Sequence, residues 1–338
     1  MDQQTRLAPQ MKYYEEFASG EMRWLPYLMF FSRAGYRSPV LTTDSGGFRP
    51  TEAGGERYSL LQDRPDGEVS VMLGASPAFG WGATGDAATI TSLLAAVPGQ
   101  PKWLNLAASA FNSTQELLVF LLHRHQLPRI RDIVVLAGLN NLVVAGLPDA
   151  ASDYGQFFFS GEFFTQLGNP DLNKYYRQPK WAVGRLAKRF AGGAPEPDRT
   201  LAPLARSELA ADIQARDLDR LLELAAPTGA RVHFMLQPTA TWTGKTLSAE
   251  EEELIAEVNV ERGALWTMFT PILSDAVHHD YRDRLAAACA TRGISFHDAS
   301  ALLGGDEWLF IDQAHITDEG NRRLAAAIRA TTAAGGDS

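Results

Sequence analysis

Apolar residues are concentrated in five short runs that recur along the chain. Each run is rich in β-branched or aliphatic residues, has the length of a strand and ends in small or polar residues. Because parallel neighbouring strands need helical crossovers, runs that alternate with helical segments predict an α/β fold, a three-layer α/β/α domain around a parallel five-stranded sheet. The predicted strands are residues 69–73, 102–107, 132–137, 231–236 and 294–298.

Two segments fall outside this alternation. Residues 1–68 are rich in aromatic and turn residues, and we expect them to form an N-terminal extension packed on a core domain of residues 69–335. Between about residues 146 and 200 the alternation lapses and aromatic residues crowd together, which predicts a long insertion in the core domain.

The loops after the predicted strands carry the polar residues of greatest chemical interest. The first strand leads into Gly74-Ala75-Ser76, and the third leads into Gly138-Leu139-Asn140-Asn141. Because the carboxyl ends of parallel strands meet at one edge of a sheet, we expect these loops to lie together there, near helix N-termini that favour negative charge. The loop after the second strand precedes a helix whose start is predicted from the capping-box spacing of Ser113 and Glu116.

A further polar pair stands before the last helix. Asp312 and His315 are three residues apart, so both can face one cleft from a turn. A simpler explanation exists for each residue of interest: Ser76 as a helix cap or turn serine, Asn140 as a turn residue, and Asp312 as a cap of the last helix near Thr317.

Taken in chain order, these blocks resemble the SGNH, or GDSL-type, serine hydrolase family of esterases, lipases and acyltransferases. The resemblance spans most of the chain, from Ser76 to His315. It implies a flavodoxin-like strand order, with Ser76 as the nucleophile, His315 as its general base and Asp312 as the residue that orients His315. It also implies an oxyanion hole formed by the backbone N–H groups of Ser76 and Ala110 and the side chain of Asn140.

The residue types suit this chemistry for physical reasons. A serine hydroxyl is a poor nucleophile near neutral pH, so an imidazole must take its proton and a carboxylate must hold that imidazole in the right tautomer. The oxyanion that forms next needs preorganised donors, and the loss of one typically costs about 100-fold to 1,000-fold in turnover.

Three positions depart from the family pattern. Ala75 replaces the Asp that usually precedes the serine, Ala110 replaces a Gly, and Asn141 replaces the Asp that usually follows the block-three Asn. Ala110 preserves the backbone donor if its local conformation suits a residue with a Cβ. The other two changes remove carboxylates near the nucleophile without removing the triad.

Composition excludes several classes of function. The chain has 338 residues, 45% of them apolar, and a net charge of −9, so it can bury a full α/β core and lacks the basic surface of a nucleic-acid-binding protein. Cys289 is the only cysteine, in an alanine-rich helix, which predicts a buried structural thiol. His278 and His279 are adjacent and would point apart on a helix, so we predict neither a metal site nor a cofactor.

The N-terminal segment indicates where in the cell the protein is expected. The N-terminus lacks the pattern of a signal peptide, and the apolar residues 24–31 are too few to span a bilayer, so we expect a cytoplasmic protein without an integral membrane segment.

Arg37 and Arg49 are better explained as solvated or salt-bridged than as ligands of a substrate anion. Gln237, after the fourth strand, is better explained as a turn residue than as part of the cleft.

The leading hypothesis is a hydrolase of a small-molecule ester that works through an acyl-serine intermediate. The alternatives are an acyltransferase that uses the same triad with a bound acceptor, and a catalytically silent binding or regulatory protein. The insertion is either a lid or acyl-pocket wall, with Phe158, Phe163 and Trp181 as candidate substrate contacts, or a satellite core or oligomer contact. The sequence leaves the substrate and the oligomeric state open.

Overall fold

The computed structural model describes residues 3–19, 23–127, 129–147, 150, 151, 155–158, 201–261 and 269–334. Most of the predicted insertion, including Phe163 and Trp181, lies outside these ranges. The described strands are β1 (Arg23–Leu25), β2 (Met29–Phe31), β3 (Thr51–Ala53), β4 (Glu56–Tyr58), β5 (Glu68–Gly74), β6 (Lys102–Asn105), β7 (Arg129–Ala137), β8 (Arg231–Leu236) and β9 (Ser295–Asp298).

The described helices alternate with the strands from β5 onwards. They are α1 (Gln3–Leu7), α2 (Met11–Ser19), α3 (Ser76–Phe79), α4 (Ile90–Ala95), α5 (Ser113–His123), α6 (Leu139–Val144), α7 (Pro203–Ala225), α8 (Ala249–Glu261), α9 (Asp275–Ala290) and α10 (Asp318–Ala334).

Five parallel strands form the central sheet, in the order β6-β5-β7-β8-β9. Numbered along the chain, this is the flavodoxin-like order 2-1-3-4-5. The predicted fold class is therefore confirmed: an α/β fold with a five-stranded parallel sheet between layers of helices.

The sheet is buried on both faces, which explains why its strands are continuously apolar. Along β5, Val71 and Leu73 pack into a cluster with α5, α7 and α9, whereas Met72 packs into the opposite cluster with α4 and α10. Residues before the sheet join both clusters: Phe48 lies in the first, and Tyr14 lies in the second.

Helix α5 begins one residue earlier than the capping-box spacing predicts. Asn112 is its N-cap, and Gln115 completes the capping box, with hydrogen bonds of 3.0 and 3.2 Å between the two residues. The predicted pair of Ser113 and Glu116 is wrong because the Asn112 side chain occupies the capping position first. Glu116 is thereby left on the buried face of the helix, where it is 3% exposed.

Candidate active site

The first sheet strand ends at a position that accepts only glycine. Gly74 has φ +141°, and a Cβ there would lie 2.1 Å from the carbonyl oxygen of Leu136 in β7. After the buried Ala75, the chain turns directly into α3, with Ser76 as the first helical residue and Pro77 as the second. The N–H of Ser76 therefore belongs to the first turn of a helix, where backbone donors have no partner within the helix.

Ser76, His315 and Asp312 form a continuous hydrogen-bonded chain. Nε2 of His315 lies 2.8 Å from Oγ of Ser76, and Nδ1 of His315 lies 2.7 Å from Oδ2 of Asp312. The serine and histidine are half-buried, and Asp312 is 2% exposed. The three residues that the sequence analysis assigns to a triad are thus brought together from positions 239 residues apart in the chain.

The loop that presents the acid and the base is closed on itself. Phe310 and Ile316 form an antiparallel bridge, and the N–H of Ile311 donates to the carbonyl oxygen of His315 at 2.8 Å. Thr317, rather than Asp312, caps α10: its Oγ1 accepts from the N–H of Gly320 at 3.3 Å. Asp312 is therefore free to act within its own loop.

Asp312 is held as a carboxylate by donors on every side. Oδ1 accepts from the N–H groups of Ala314 and His315 at 2.8 and 2.9 Å, and Oδ2 pairs with the imidazole. Burial raises the pKa of Asp312, but the charge of His315 and these hydrogen bonds outweigh burial and hold the pKa below its ordinary value. This environment favours an ionised Asp312 that fixes the orientation of the ring.

The predicted oxyanion donors come from three segments: the start of α3, the loop after β6 and the first turn of α6. Ala110 has φ +62°, a left-handed conformation that explains why glycine is usual at this block. Asn140 is 7% exposed, and its Nδ2 donates to the carbonyl oxygen of Phe111 at 2.7 Å. This bond uses one of the two amide hydrogens and joins the start of α6 to the residue after Ala110.

Asn141 has a different position from Asn140. Its Oδ1 accepts from the N–H of Ser113, and its Nδ2 donates to Oγ of the same serine, both at 2.9 Å. Asn141 is 1% exposed and thus joins α6 to the start of α5. An amide can both donate and accept here, which a carboxylate could not do.

Several residues that the sequence analysis did not assign to the site pack against His315 or bond to α3. The ring of Trp81 lies 5.6 Å from the ring of His315, and Nδ2 of Asn105 donates to the carbonyl oxygen of Ala78 in α3 at 3.0 Å. Arg49 is buried and paired with Asp86 at 2.9 Å, in agreement with the salt-bridged alternative. The Gly80-Trp81-Gly82 sequence after Ser76 was a signal for close packing at this turn.

A second hydrogen-bonded set of Ser, His and Asp side chains lies at the opposite edge of the sheet, near the amino ends of the strands. Nδ1 of His233 lies 2.7 Å from Oγ of Ser295, and Nε2 lies 3.0 Å from Oδ1 of Asp132. Arg231 also pairs with Asp132 at 2.8 Å. Helices that follow parallel strands end at this edge, so their dipoles disfavour an oxyanion there. Ser295 is therefore a useful control for Ser76.

Three other residues that the sequence analysis considers, Phe158, Arg37 and Gln237, make contacts elsewhere. Phe158 is 9% exposed and lies 6.4 Å from the ring of Phe269. Nη1 of Arg37 donates to the carbonyl oxygen of Thr43 at 3.0 Å. Gln237 is 1% exposed, and its N–H donates to the carbonyl oxygen of Ala137 at 2.9 Å.

A cavity of about 440 Å³ lies beside α6 and the start of α5 rather than over the nucleophile. Asn112 and Asn141 line it, together with apolar residues of α5, α6 and α7 and the β1–β2 hairpin. Ser76 and His315 are not among its lining residues.

His278, the first histidine of the pair in α9, lies against a carboxylate and an indole ring. Nε2 of His278 lies 2.9 Å from Oδ2 of Asp298, and its ring stacks on Trp242 at 4.8 Å. Within the described ranges, no group of three or more His, Cys, Asp or Glu residues could hold a metal ion.

None of the helices in the described part of the chain is both long and apolar enough to cross a membrane.

No protein-family model and no curated protein matches the chain. Among solved structures it is similar to a GDSL-like lipase from Bacteroides thetaiotaomicron, with 14% identity over 79% of this chain and 88% of that one and a TM-score of 0.43. It is also similar to an aryl esterase from M. smegmatis, with 12% identity over 79% and 99% of the two chains and a TM-score of 0.43. A carbohydrate acetylesterase from Sinorhizobium meliloti matches with 13% identity over 79% and 99% and a TM-score of 0.43. Because these similarities are low, we base the assignment of function on the geometry of Ser76, Asp312 and His315.

Proposed function

We propose that the protein is a serine hydrolase that cleaves a carboxylic ester through an acyl-serine intermediate. The observation that carries this proposal is the chain of 2.7 and 2.8 Å hydrogen bonds from Asp312 through His315 to Ser76, at the start of a helix. This is the arrangement in which an imidazole can deprotonate a serine hydroxyl while a buried carboxylate holds the ring.

In the first half-reaction, Oγ of Ser76 attacks the ester carbonyl carbon and Nε2 of His315 takes the hydroxyl proton. The oxyanion of the tetrahedral intermediate accepts hydrogen bonds from the N–H groups of Ser76 and Ala110 and from the second amide hydrogen of Asn140. The C–O bond then breaks, and the leaving alcohol takes the proton from His315.

In the second half-reaction, water attacks the acyl-serine while His315 takes its proton. Collapse of the second tetrahedral intermediate releases the carboxylic acid and returns the proton to Oγ of Ser76. Asp312 stays ionised throughout, because the charge of His315 and the hydrogen bonds from Ala314 and His315 hold its pKa below its ordinary value. A bound alcohol in place of water would make the same site an acyltransferase, and the product distinguishes the two reactions.

The decisive experiment is intact-mass spectrometry after incubation with a fluorophosphonate. We expect one adduct on the wild type, none on Ser76→Ala, and one on Ser295→Ala, the matched control at the opposite edge of the sheet. Folded wild type without an adduct, or with an adduct retained in Ser76→Ala, would contradict the assignment. Ester hydrolysis with and without added alcohols then measures whether the acyl group passes to water.

A further inference from the structure

The helix that begins with Ser76 is too short to hold its own position. Helix α3 contains 4 residues, one turn, and such a segment has no intrinsic stability in water. Its first carbonyl oxygen accepts from the N–H groups of Gly80 and Trp81 at 3.1 and 2.9 Å. The position of the nucleophile therefore depends on contacts that the helix makes with the rest of the chain.

The strongest of these contacts come from the segment that precedes the sheet. Nη1 of Arg49 donates to the carbonyl oxygen of Gly80 at 2.6 Å and lies 3.4 Å from that of Phe79. The hydroxyl of Tyr14 lies 3.0 Å from the same Gly80 oxygen and 2.8 Å from the carbonyl oxygen of Ala83. Both side chains thus hold the end of α3 opposite Ser76.

Arg49 is itself fixed in place. It is fully buried, its Nε pairs with Oδ1 of Asp86 at 2.9 Å, and its Nη2 donates to the carbonyl oxygen of Val40 at 2.8 Å. Its Nη1 also donates to the Tyr14 hydroxyl at 3.0 Å. A guanidinium can make these bonds simultaneously because its five N–H groups form a rigid fork.

The same cluster reaches the base. Trp81 directly follows Gly80, and its ring packs 5.1 Å from the ring of Tyr14 and 5.6 Å from that of His315. Gly80 has φ +90°, and a Cβ there would lie 3.1 Å from Nη1 of Arg49. The contacts of Arg49, Tyr14 and Trp81 therefore connect the helix that carries Ser76 to the ring of His315.

We propose that Arg49, supported by Asp86 and Tyr14, is a positioning residue that sets the place of Ser76 relative to His315. This inference rests on the proposed serine-hydrolase function. Arg49 does not touch the substrate; it acts through the carbonyl oxygens of α3. A lysine could pair with Asp86 or bond the Gly80 oxygen, but its single ammonium cannot reproduce the fork.

The test compares the same substitution at two arginines that share one partner. Nη2 of Arg57 also pairs with Asp86 at 2.9 Å, but this side chain is 36% exposed. We expect Arg49→Lys to slow fluorophosphonate labelling of Ser76 by about 10-fold to 100-fold, as for a small displacement of a catalytic group, at a temperature where the variant is folded. Arg57→Lys should label at nearly the wild-type rate.

Hydrogen exchange separates positioning from general loss of stability. In Arg49→Lys, the peptide covering residues 76–83 should exchange faster, while peptides of β7 and β8 keep their protection. If Arg49→Lys does not fold, Tyr14→Phe removes the hydroxyl that accepts from Arg49 and contacts the Gly80 oxygen, and it should give the same two changes. Tyr36→Phe is its control, because the Tyr36 hydroxyl donates to the carbonyl oxygen of Tyr13 at 3.2 Å instead. Wild-type labelling and exchange rates in a folded Arg49→Lys or Tyr14→Phe variant would overturn the inference.

The two proposals fail in different ways. A wild type that neither labels nor hydrolyses esters refutes the proposed function, and the exchange of residues 76–83 still decides whether Arg49 positions the helix. A wild type that labels normally, with variants that label equally fast, refutes only the role of Arg49.

Discussion

Replacing Glu116 by glutamine should change how the stability of the fold depends on pH. Glu116 lies on the buried face of α5, and neither of its carboxylate oxygens has a hydrogen-bond partner among the described residues. Burial, and secondly the negative charge of Asp217, raise its pKa well above the ordinary value of 4.5. A cavity of about 10 Å³ beside it is at the lower limit for one water molecule.

The sign of the effect follows from proton linkage. Below the ordinary pKa, Glu116 is protonated in both the folded and the unfolded chain and makes stability no more dependent on pH. As the pH rises, the unfolded chain releases the proton first, so the folded state loses stability until the pH passes the raised pKa. For one proton, the loss is at most about 1.4 kcal/mol per pH unit.

Glutamine keeps the shape of the side chain but does not ionise. Its unpartnered amide carries a cost of about 1–3 kcal/mol, but that cost is the same at every pH. The difference in the free energy of unfolding between Glu116→Gln and the wild type should therefore move in favour of the variant from pH 5 to pH 8, whatever its value at pH 5.

Urea unfolding at several pH values measures this difference. Glu208→Gln is the control for the loss of one carboxylate, because Glu208 is exposed on α7. The titrating groups that do not interact with Glu116 are present in each protein and cancel. A difference for Glu116→Gln that stays constant between pH 5 and pH 8 would refute the reasoning and place Glu116 in a hydrated or paired environment.

Three further substitutions test the segments that carry the predicted oxyanion donors. Asn140→Ala should lower turnover by about 100-fold to 1,000-fold. It should also lower the free energy of unfolding by about 1–3 kcal/mol, because the carbonyl oxygen of Phe111 loses its partner. Asn141→Ala, which breaks the two bonds to Ser113, should lower the free energy of unfolding by a similar amount with a much smaller loss of turnover. Ester-hydrolysis kinetics and urea unfolding of both variants check this, and equal losses of turnover would contradict it. Ala110→Gly should raise the free energy of unfolding by up to about 1 kcal/mol, because relief of the left-handed strain at φ +62° exceeds the entropy cost of glycine; a less stable variant would show that the strain is small.

The fold was predictable because its signals are local. Strands buried on both faces must be apolar at successive positions, and β5 and β7 show this along most of their length. The candidate site was predictable for the same reason, since a serine or asparagine that directly follows such a strand can only lie at the carboxyl edge. Ser76 and Asn140 therefore take their places from the strands before them.

The remaining features depend on groups far apart in the chain. Arg49 and Asp86 are separated by 37 residues, and no periodicity relates an arginine to the acid that it meets. The start of α5 was misplaced by one residue because Asn112 and Ser113 are both good caps, and only packing chooses between them. The left-handed conformation of Ala110 was likewise invisible, since alanine carries no signal for a positive φ.

Two buried ion pairs bond to the backbone near the nucleophile and the base: Arg49 with Asp86 at the end of α3, and Lys245 with Glu251 before the Asp312 loop. Oε1 of Glu251 pairs with Nζ of Lys245 at 2.8 Å, in a place where both side chains are 0% exposed. The same oxygen accepts from the N–H groups of Leu309 and Phe310 at 2.8 and 3.0 Å, immediately before the Asp312 loop. Removing one member of such a pair typically costs about 3–5 kcal/mol, because the other charge is left buried. A buried ion pair thus holds its neighbours rigidly, although burying its charges is unfavourable. One such pair lies on each side of the hydrogen bond between Ser76 and His315, where a displacement of about 1 Å would lower the rate by about 100-fold.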